Sequence, residues 1–426
     1  MVARMRFTRT EKSWVLYDAG NSAFTMLVSS VIPIYFNSLT AAGGVSPTRS
    51  AAWWGLITSL STLILAVLSP LLGPLADFRG MKIRLFTISM GVGLATGVAM
   101  GLVNGWIAFV VLFVIAKLGY NLSLVFYDSM LTDVSTDDRM DTVSSMGYGI
   151  GYIASCVPFI LCIGLILTAD ATGLGKTAAT RLSFILTCVW WGLFSMPLLR
   201  DYRQTWFVER KAHALTASLS TLAGTLRRLG KERRILLFML AFFCYIDGVY
   251  TIIGMAASYG SAVGIDSTQM ILALLLTQII AFPCAILFGR LARRFNTRRL
   301  IEACIIGYAG IALFALQLDR AWEFWFLAVC VAMFQGGIQS LSRSYFARII
   351  PKEHSNEYFG LFNIFGKGAD FLGPLLMSLT MLVTGRANLG VVPIIMLFVI
   401  GYALMRLLPP DPADPAGEEA GAASSI

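Results

Sequence analysis

The chain is poor in residues that do chemistry in water. It has two histidines, His213 and His354, both in loop-like stretches, and Asp, Glu, Lys and Arg make up 13% of 426 residues. Histidine is the side chain whose ordinary pKa lies near neutrality, so a proton relay here has to use carboxylates. Seven cysteines (Cys156, Cys162, Cys188, Cys244, Cys284, Cys304, Cys330) fall in apolar runs, without a C-x-x-C pair. That argues against zinc and dithiol chemistry and leaves packing as their role. H-E-x-x-H and G-x-S-x-G are absent, and the stretch Asp170 to Thr177 ends like a P-loop but has Asp170 where the first glycine belongs. No strand precedes it, which argues against an ATP site; no enzyme activity, cofactor or metal is expected.

Apolar side chains are abundant instead, at 57% against about 45–50% in soluble domains. A membrane-spanning helix needs about 20 mainly apolar residues. Twelve stretches supply them: 14–36, 53–75, 85–104, 106–130, 143–168, 181–199, 235–260, 269–289, 299–318, 322–346, 357–384 and 389–408. Joints such as Asn104-Gly105 make neighbours antiparallel, and lipid tolerates no irregular backbone, so an all-α polytopic membrane protein is predicted. The longest interior loop, 200–234, separates a half at 14–199 from one at 235–408, with terminal segments 1–13 and 409–426.

A net charge of +9 could suggest nucleic acid, but the cations sit on alternate loops: Arg4 to Lys12, Arg79 to Arg84, Arg200 to Arg234 and Arg290 to Arg299. The positive-inside rule then places both termini in the cytoplasm, in a monomer of the inner membrane with no nucleic-acid partner. Arg6-Phe7-Thr8-Arg9 runs into a full-length span carrying Asp18, which is not the pattern of a cleaved signal peptide. Leu215, Leu219, Leu222, Leu226 and Leu229 share one helical face ahead of a basic cluster, predicting an amphipathic helix on the membrane surface. The tail from Pro409 is predicted disordered.

Charges at bilayer depth are costly and mark cavities or partners. Lys117 lies mid-span in the fourth stretch, Asp247 in the seventh, and Lys367 and Asp370 in the eleventh, while Asp18 and Asp128 lie nearer span ends. Lysines 117 and 367 would attract a carboxylate or phosphate, and Asp247 would carry a coupling proton or pair with a cargo amine. The alternative is internal pairing, for which Lys367 and Asp370 are correctly spaced. Asn121, Tyr245, Tyr250, Gln335, Gln339 and Asn363 are candidate polar wall residues, or ordinary interhelical hydrogen-bond partners. Gly147, Gly149 and Gly151 before Pro158, and Gly366, Gly368 and Gly373-Pro374, predict thin, bendable helix faces.

A hairpin, Gly73-Pro74-Leu75-Ala76-Asp77-Phe78-Arg79-Gly80-Met81-Lys82-Ile83-Arg84, has an echo 289 − 73 = 216 positions later at Gly289-Arg290-Leu291-Ala292-Arg293. This resembles the loop between helices two and three of the major facilitator superfamily, implying two six-helix halves related by an axis along the membrane normal. Tyr17-Asp18-Ala19-Gly20-Asn21-Ser22, Tyr245-Ile246-Asp247-Gly248-Val249-Tyr250 and Gln339-Ser340-Leu341-Ser342-Arg343-Ser344 resemble the vacuole effluxer-like branch, as do Phe359 to Asn363 and Gly366-Lys367. The resemblance adds Asn21 to the candidate site residues. It implies a gate built from Gly73, Asp77, Arg79, Gly80, Arg84, Asp128, Asp133, Arg293 and Arg343, in which Asp77 accepts hydrogen bonds from the eleventh span and pairs with an arginine. Where Asp77 would recur the second copy has Arg293, a candidate partner for Asp133 or for lipid phosphate.

The expected function is secondary active transport of a small organic solute, such as an amino acid, zwitterion or organic anion, by alternating access coupled to protons. The alternatives are a carrier of a larger amphiphile, such as a lysolipid or cell-wall fragment, and a non-transporting sensor or scaffold on the same fold.

Overall fold

The computed structural model describes residues 6–209, 227, 229–262, 267–317, 320–384 and 388–409. Six long helices form the first half: α1 (Arg9–Ala42), α2 (Pro47–Ala76), α3 (Met81–Met100), α4 (Trp106–Ser129), α5 (Met140–Leu167) and α6 (Lys176–Asp201). Six more form the second: α7 (Arg233–Ala262), α8 (Ser267–Leu291), α9 (Thr297–Ala315), α10 (Ala321–Ile349), α11 (Ser355–Thr384) and α12 (Val392–Arg406).

Local chemistry sets their ends. At the start of α1, Thr8 and Glu11 form a capping box: the Glu11 N–H donates to Thr8 Oγ1 at 3.1 Å, and the Thr8 N–H donates to Glu11 Oε2 at 2.8 Å. The helix therefore begins before its apolar run. Pro47 opens α2, where its missing N–H costs nothing. Gly80, at φ 71°, turns the chain into α3 in a conformation that disfavours a side chain.

Among the described residues, ten helices are long and apolar enough to cross a membrane. The exceptions, α9 and α11, show why composition alone falls short. Helix α9 opens on Thr297-Arg298-Arg299 and carries Glu302, while α11 has Lys367 and Asp370 within its sequence. Both are held in place by packing, α9 against α10 and α12, and α11 against α2 and α7.

The halves repeat a tie as well as a topology. Tyr17 of α1 meets Ser123 of α4 at 2.8 Å, and Tyr245 of α7 meets Ser342 of α10 at 2.7 Å, all buried. Helices α2 and α11 join the halves on one side, and α5 joins α8 and α10 on the other. Polar ties between the halves, from Asp77 to α11 and from Asp141 to Arg348, stand at the end carrying the α2–α3 loop, the basic end. Most of the predicted linker helix and the tail beyond Pro409, as well as the side chains of Lys367 and Asp370, lie outside the described residues.

Glycine permits the closest crossing. A Cβ on Gly73 would lie 2.7 Å from the backbone oxygen of Asn356, an atom that cannot swing aside. Gly73→Ala should therefore separate α2 from α11 and lower stability by about 1–3 kcal/mol. A thermal melt of the purified variant measures this, and a melt identical to wild type would show that the crossing yields.

Candidate functional site

A cavity of about 100 Å³ lies between the halves. Its polar wall is Asp128, Tyr148, Tyr250, Gln339, Arg343 and Asn363, and its apolar wall is Leu124, Phe242, Ile246, Phe362 and Gly366. Phe242 and Phe362 stack at 4.0 Å, forming an aromatic side.

Arg343 of α10 dominates the electrostatics. It is 4% exposed and reaches across to three helices of the first half. Its guanidinium donates to Asp128 of α4 at 3.0 Å, to Asp18 of α1 at 3.3 Å, and to the hydroxyl and carbonyl of Ser144 in α5 at 3.0 and 3.1 Å. The rings of Trp14, Tyr148 and Tyr127 lie around it, with centroids at 4.6, 4.3 and 5.6 Å. A buried guanidinium needs such company, because desolvating it without partners costs several kcal/mol. Gly147 makes room for the node: a Cβ there would overlap Asp18 Oδ2 and approach Arg343 at 3.3 Å. Two carboxylates share one guanidinium.

The other charges predicted at depth stand elsewhere. Asp247 is fully buried between α7 and α11, where its Oδ1 accepts the Gly373 N–H at 2.9 Å just before the Pro374 interruption. It is not among the residues that line the cavity, although its neighbours Ile246 and Tyr250 are. Lys117 is half-buried on α4, also outside the lining. Asn121 donates to the Lys117 carbonyl at 2.8 Å and Asn21 to the Tyr17 carbonyl at 3.0 Å, both bonds within one helix. Tyr245 is committed to Ser342, and Gln335 is buried away from the lining. Of the predicted wall residues, the structure brings Tyr250, Gln339 and Asn363 together, and adds Asp128 and Arg343, which the hairpin resemblance had grouped with the gate.

At the basic end Asp77 caps α11. Its Oδ1 accepts the backbone N–H and the side-chain amide of Asn356 at 2.9 and 2.8 Å, and its Oδ2 accepts the Glu357 N–H at 3.0 Å. A carboxylate suits a helix N-terminus, where N–H groups lack partners and the dipole is positive. The nearby cation is Lys82, in place of the expected arginine. Burial pushes the Asp77 carboxyl up to about 7, against the pull of Lys82 and of the Asn356 and Glu357 donors. One ligand atom each from Asp77, His354 and Glu357 lies within 4.8 Å of the others. The Asp77 oxygens already accept three N–H donors, however, so the geometry is that of a helix cap.

Asp133 corrects a second expectation. Its partner is Lys82 at 2.7 Å, both side chains fully buried, and Arg293 is exposed elsewhere. Asp133 also accepts the Tyr202 hydroxyl at 2.6 Å and the N–H groups of Thr205 and Trp206 at 2.8 and 2.9 Å. The segment after α6 is thus strapped over the α2–α3 loop. Gln204 accepts the Gly80 N–H at 2.8 Å, the Val208 N–H donates to the Asp77 carbonyl at 2.9 Å, and Arg79 lies over the Phe207 ring. Arg84 is exposed. Sequence reasoning missed the strap because Tyr202 to Val208 carry no periodicity or motif. It also missed a third tie, Arg348 to Asp141 at 2.7 Å, with Thr297 donating to the same carboxylate at 2.7 Å.

The vacuole effluxer Atg22-like family model matches residues 48–414. An uncharacterized MFS-type transporter of Bacillus subtilis, YxiO, is 41% identical over 95% of this chain and 96% of its own length. Autophagy-related protein 22-1 of Aspergillus niger is 26% identical over 62% of this chain, but over only 47% of its own length. Among solved structures, the proton:xylose symporter XylE bound to 6-bromo-6-deoxy-D-glucose aligns with a TM-score of 0.72 over 94% of both chains at 14% identity, a likeness of fold. With the two six-helix halves and the capped α2–α3 hairpin in place, these matches lead to one conclusion: the chain belongs to the Atg22-like vacuole effluxer family and has the major facilitator fold.

Proposed function

We propose that the protein is a secondary active transporter that moves a small zwitterionic solute, such as an amino acid, by alternating access coupled to protons. The observation that carries this reading is the Arg343 node, which lines the cavity and bridges both halves. The basic end is assigned to the cytoplasm by the positive-inside rule, with both termini there and the protein in the inner membrane as a monomer. The ties at Asp77, Lys82, Asp141 and Arg343 then close the cytoplasmic side, which fits an outward-facing state. The relatives' names support transport in general, while the cargo is inferred from the wall.

In this scheme the guanidinium of Arg343 receives the cargo's carboxylate and Asp128 receives its amine. Gln339 and Asn363 supply neutral hydrogen-bonding groups, and the Phe242–Phe362 side accommodates an apolar substituent. Protonation of Asp18 or Asp128 removes one of the two charges holding Arg343, and so weakens the closed cytoplasmic side when cargo is aboard. Asp247 holds the α7–α11 contact through which the second half moves as a body. A cavity of about 100 Å³ favours a small solute over a lysolipid or cell-wall fragment.

Asp128→Asn tests the coupling. In proteoliposomes screened with labelled amino acids, uptake driven by an imposed proton gradient should fall by at least about tenfold, while cargo exchange at equal pH persists at a raised half-saturation concentration, because the amide oxygen still accepts from the cargo's amine but carries no charge. Unchanged gradient-driven uptake would remove Asp128 from the coupling path, and stimulation by no zwitterion would count against the cargo class.

A further inference from the structure

We propose that the hairpin joining α8 and α9 is a binding surface for anionic lipid headgroups that steadies the cytoplasmic gate. It is the second copy of the α2–α3 hairpin, and the two copies have divided their labour. With the 216-residue offset, Asp77 corresponds to Arg293, Phe78 to Arg294, Lys82 to Arg298 and Ile83 to Arg299. In the first copy Asp77 and Lys82 face inward, Asp77 capping α11 and Lys82 pairing with Asp133, and only Arg79 and Arg84 are exposed. In the second, only Arg298 is internal, donating to Glu302 at 3.1 Å and to the Leu408 carbonyl at the end of α12 at 2.9 Å.

Arg290, Arg293, Arg294 and Arg299 are exposed, and none makes an ion pair among the described residues. At the same end Lys82, Arg139, Arg298, Arg343, Arg348 and Lys352 each have a carboxylate, while Arg79, Arg84, Arg200 and Arg203 are exposed and scattered over other loops rather than grouped on one hairpin around a ring. Phe295 stands among the four arginines, 56% exposed, in the loop between α8 and α9. Guanidinium groups fork onto phosphate oxygens, and an aromatic ring among them suits the headgroup layer. A protein partner would be expected to offer acidic groups and an apolar patch larger than one ring. A flat leaflet of phosphates requires only what this hairpin presents.

The hairpin is stiff enough to transmit binding. The N–H groups of Ala292, Arg293, Arg294 and Phe295 donate back to Phe288, Arg290 and Leu291, and Asn296 caps α9. The next residue, Thr297, donates to Asp141 at 2.7 Å and accepts from Arg348 at 2.7 Å. A lipid held by Arg293, Arg294 and Arg299 therefore steadies a residue that belongs to the tie between the halves. The proposal depends on membrane embedding and not on the cargo, so the two can fail separately.

The test uses the full chain in neutral detergent, with phosphatidylglycerol, phosphatidylcholine or inorganic phosphate added during thermal unfolding, and native mass spectrometry to count retained lipid. Phosphatidylglycerol should raise the melting temperature of wild type by several degrees, while the other two should not. Arg293→Gln/Arg294→Gln/Arg299→Gln should abolish the shift and cut retention by about fivefold per arginine lost, whereas the triple Lys variant should keep most of both. If the Gln variant does not fold, Arg293→Gln and Phe295→Ser alone should each reduce retention. Equal phosphatidylglycerol shifts in wild type and variants, no shift at all, or a shift reproduced by inorganic phosphate would overturn the lipid assignment.

Discussion

Arg343→Ala is expected to reduce cargo movement by at least about 100-fold while leaving the chain inserted and folded. The substitution removes the one cation among Asp18, Asp128 and the Ser144 hydroxyl. Deleting one member of a buried ionic cluster typically costs about 3–5 kcal/mol, because the remaining charges lose their compensation. Here Asp18 and Asp128 would both lose the guanidinium that they share. Arg343→Lys retains the charge but not the fork that reaches two helices at once, and should restore little activity. Exchange in proteoliposomes, normalised to the amount of folded protein, measures this. Activity within about threefold of wild type in Arg343→Ala would place the node outside the transport cycle.

Asp77→Ala should open the cytoplasmic gate. It leaves the Asn356 and Glu357 N–H groups and the Asn356 side-chain amide without their acceptor. A buried unsatisfied donor costs about 1–3 kcal/mol, so the closed population should fall by about 10- to 100-fold. Asp77 should also make the gate pH-dependent. In the closed state its carboxyl is pushed up to about 7 by burial, against the pull of Lys82 and of the Asn356 and Glu357 donors, with His354 and Glu357 the other titratable groups facing it, whereas an open, hydrated aspartate titrates at about 3.9. The closed form therefore holds the extra proton between these values. Its stability from this group is greatest at and below about pH 4, falls by about 1.4 kcal/mol per pH unit up to about 7, and is level above that. Accessibility labelling at the gate as a function of pH should show this slope in wild type and none in Asp77→Ala. A slope that survives the substitution would assign the titration to another group.

Most of the fold was legible because its cause is one-dimensional. A run of about 20 apolar residues has one stable answer in lipid, and the repeated hairpin announced the doubling. The site was legible only in part. Tyr250 and Asn363 could be proposed for the wall from their positions near Asp247 and Lys367, and Gln339 from the face it shares with Gln335. Asp247 could not be kept there, since the facing of a residue on a helix buried all round follows from packing, here the Gly373 contact, rather than from hydropathy. Arg343 and Asp128 were noticed but assigned to the gate, because depth along a helix is hard to count when capping extends it past its apolar run. The strap at Tyr202 to Val208 was invisible, as its contacts are mainly backbone N–H groups meeting carboxylates distant in sequence.

The central claim is that Arg343 and its carboxylates hold one of two alternating arrangements of the halves. Spin-label distances across both ends test it in one measurement, with labels at Asp138 and Glu353 for the basic end and at Gly105 and Gln317 for the opposite end, all exposed. In wild type the first pair should be predominantly close and the second far. Arg343→Ala should lengthen the first and shorten the second together. Unchanged distances in the variant, or a lengthening of both, would contradict the account.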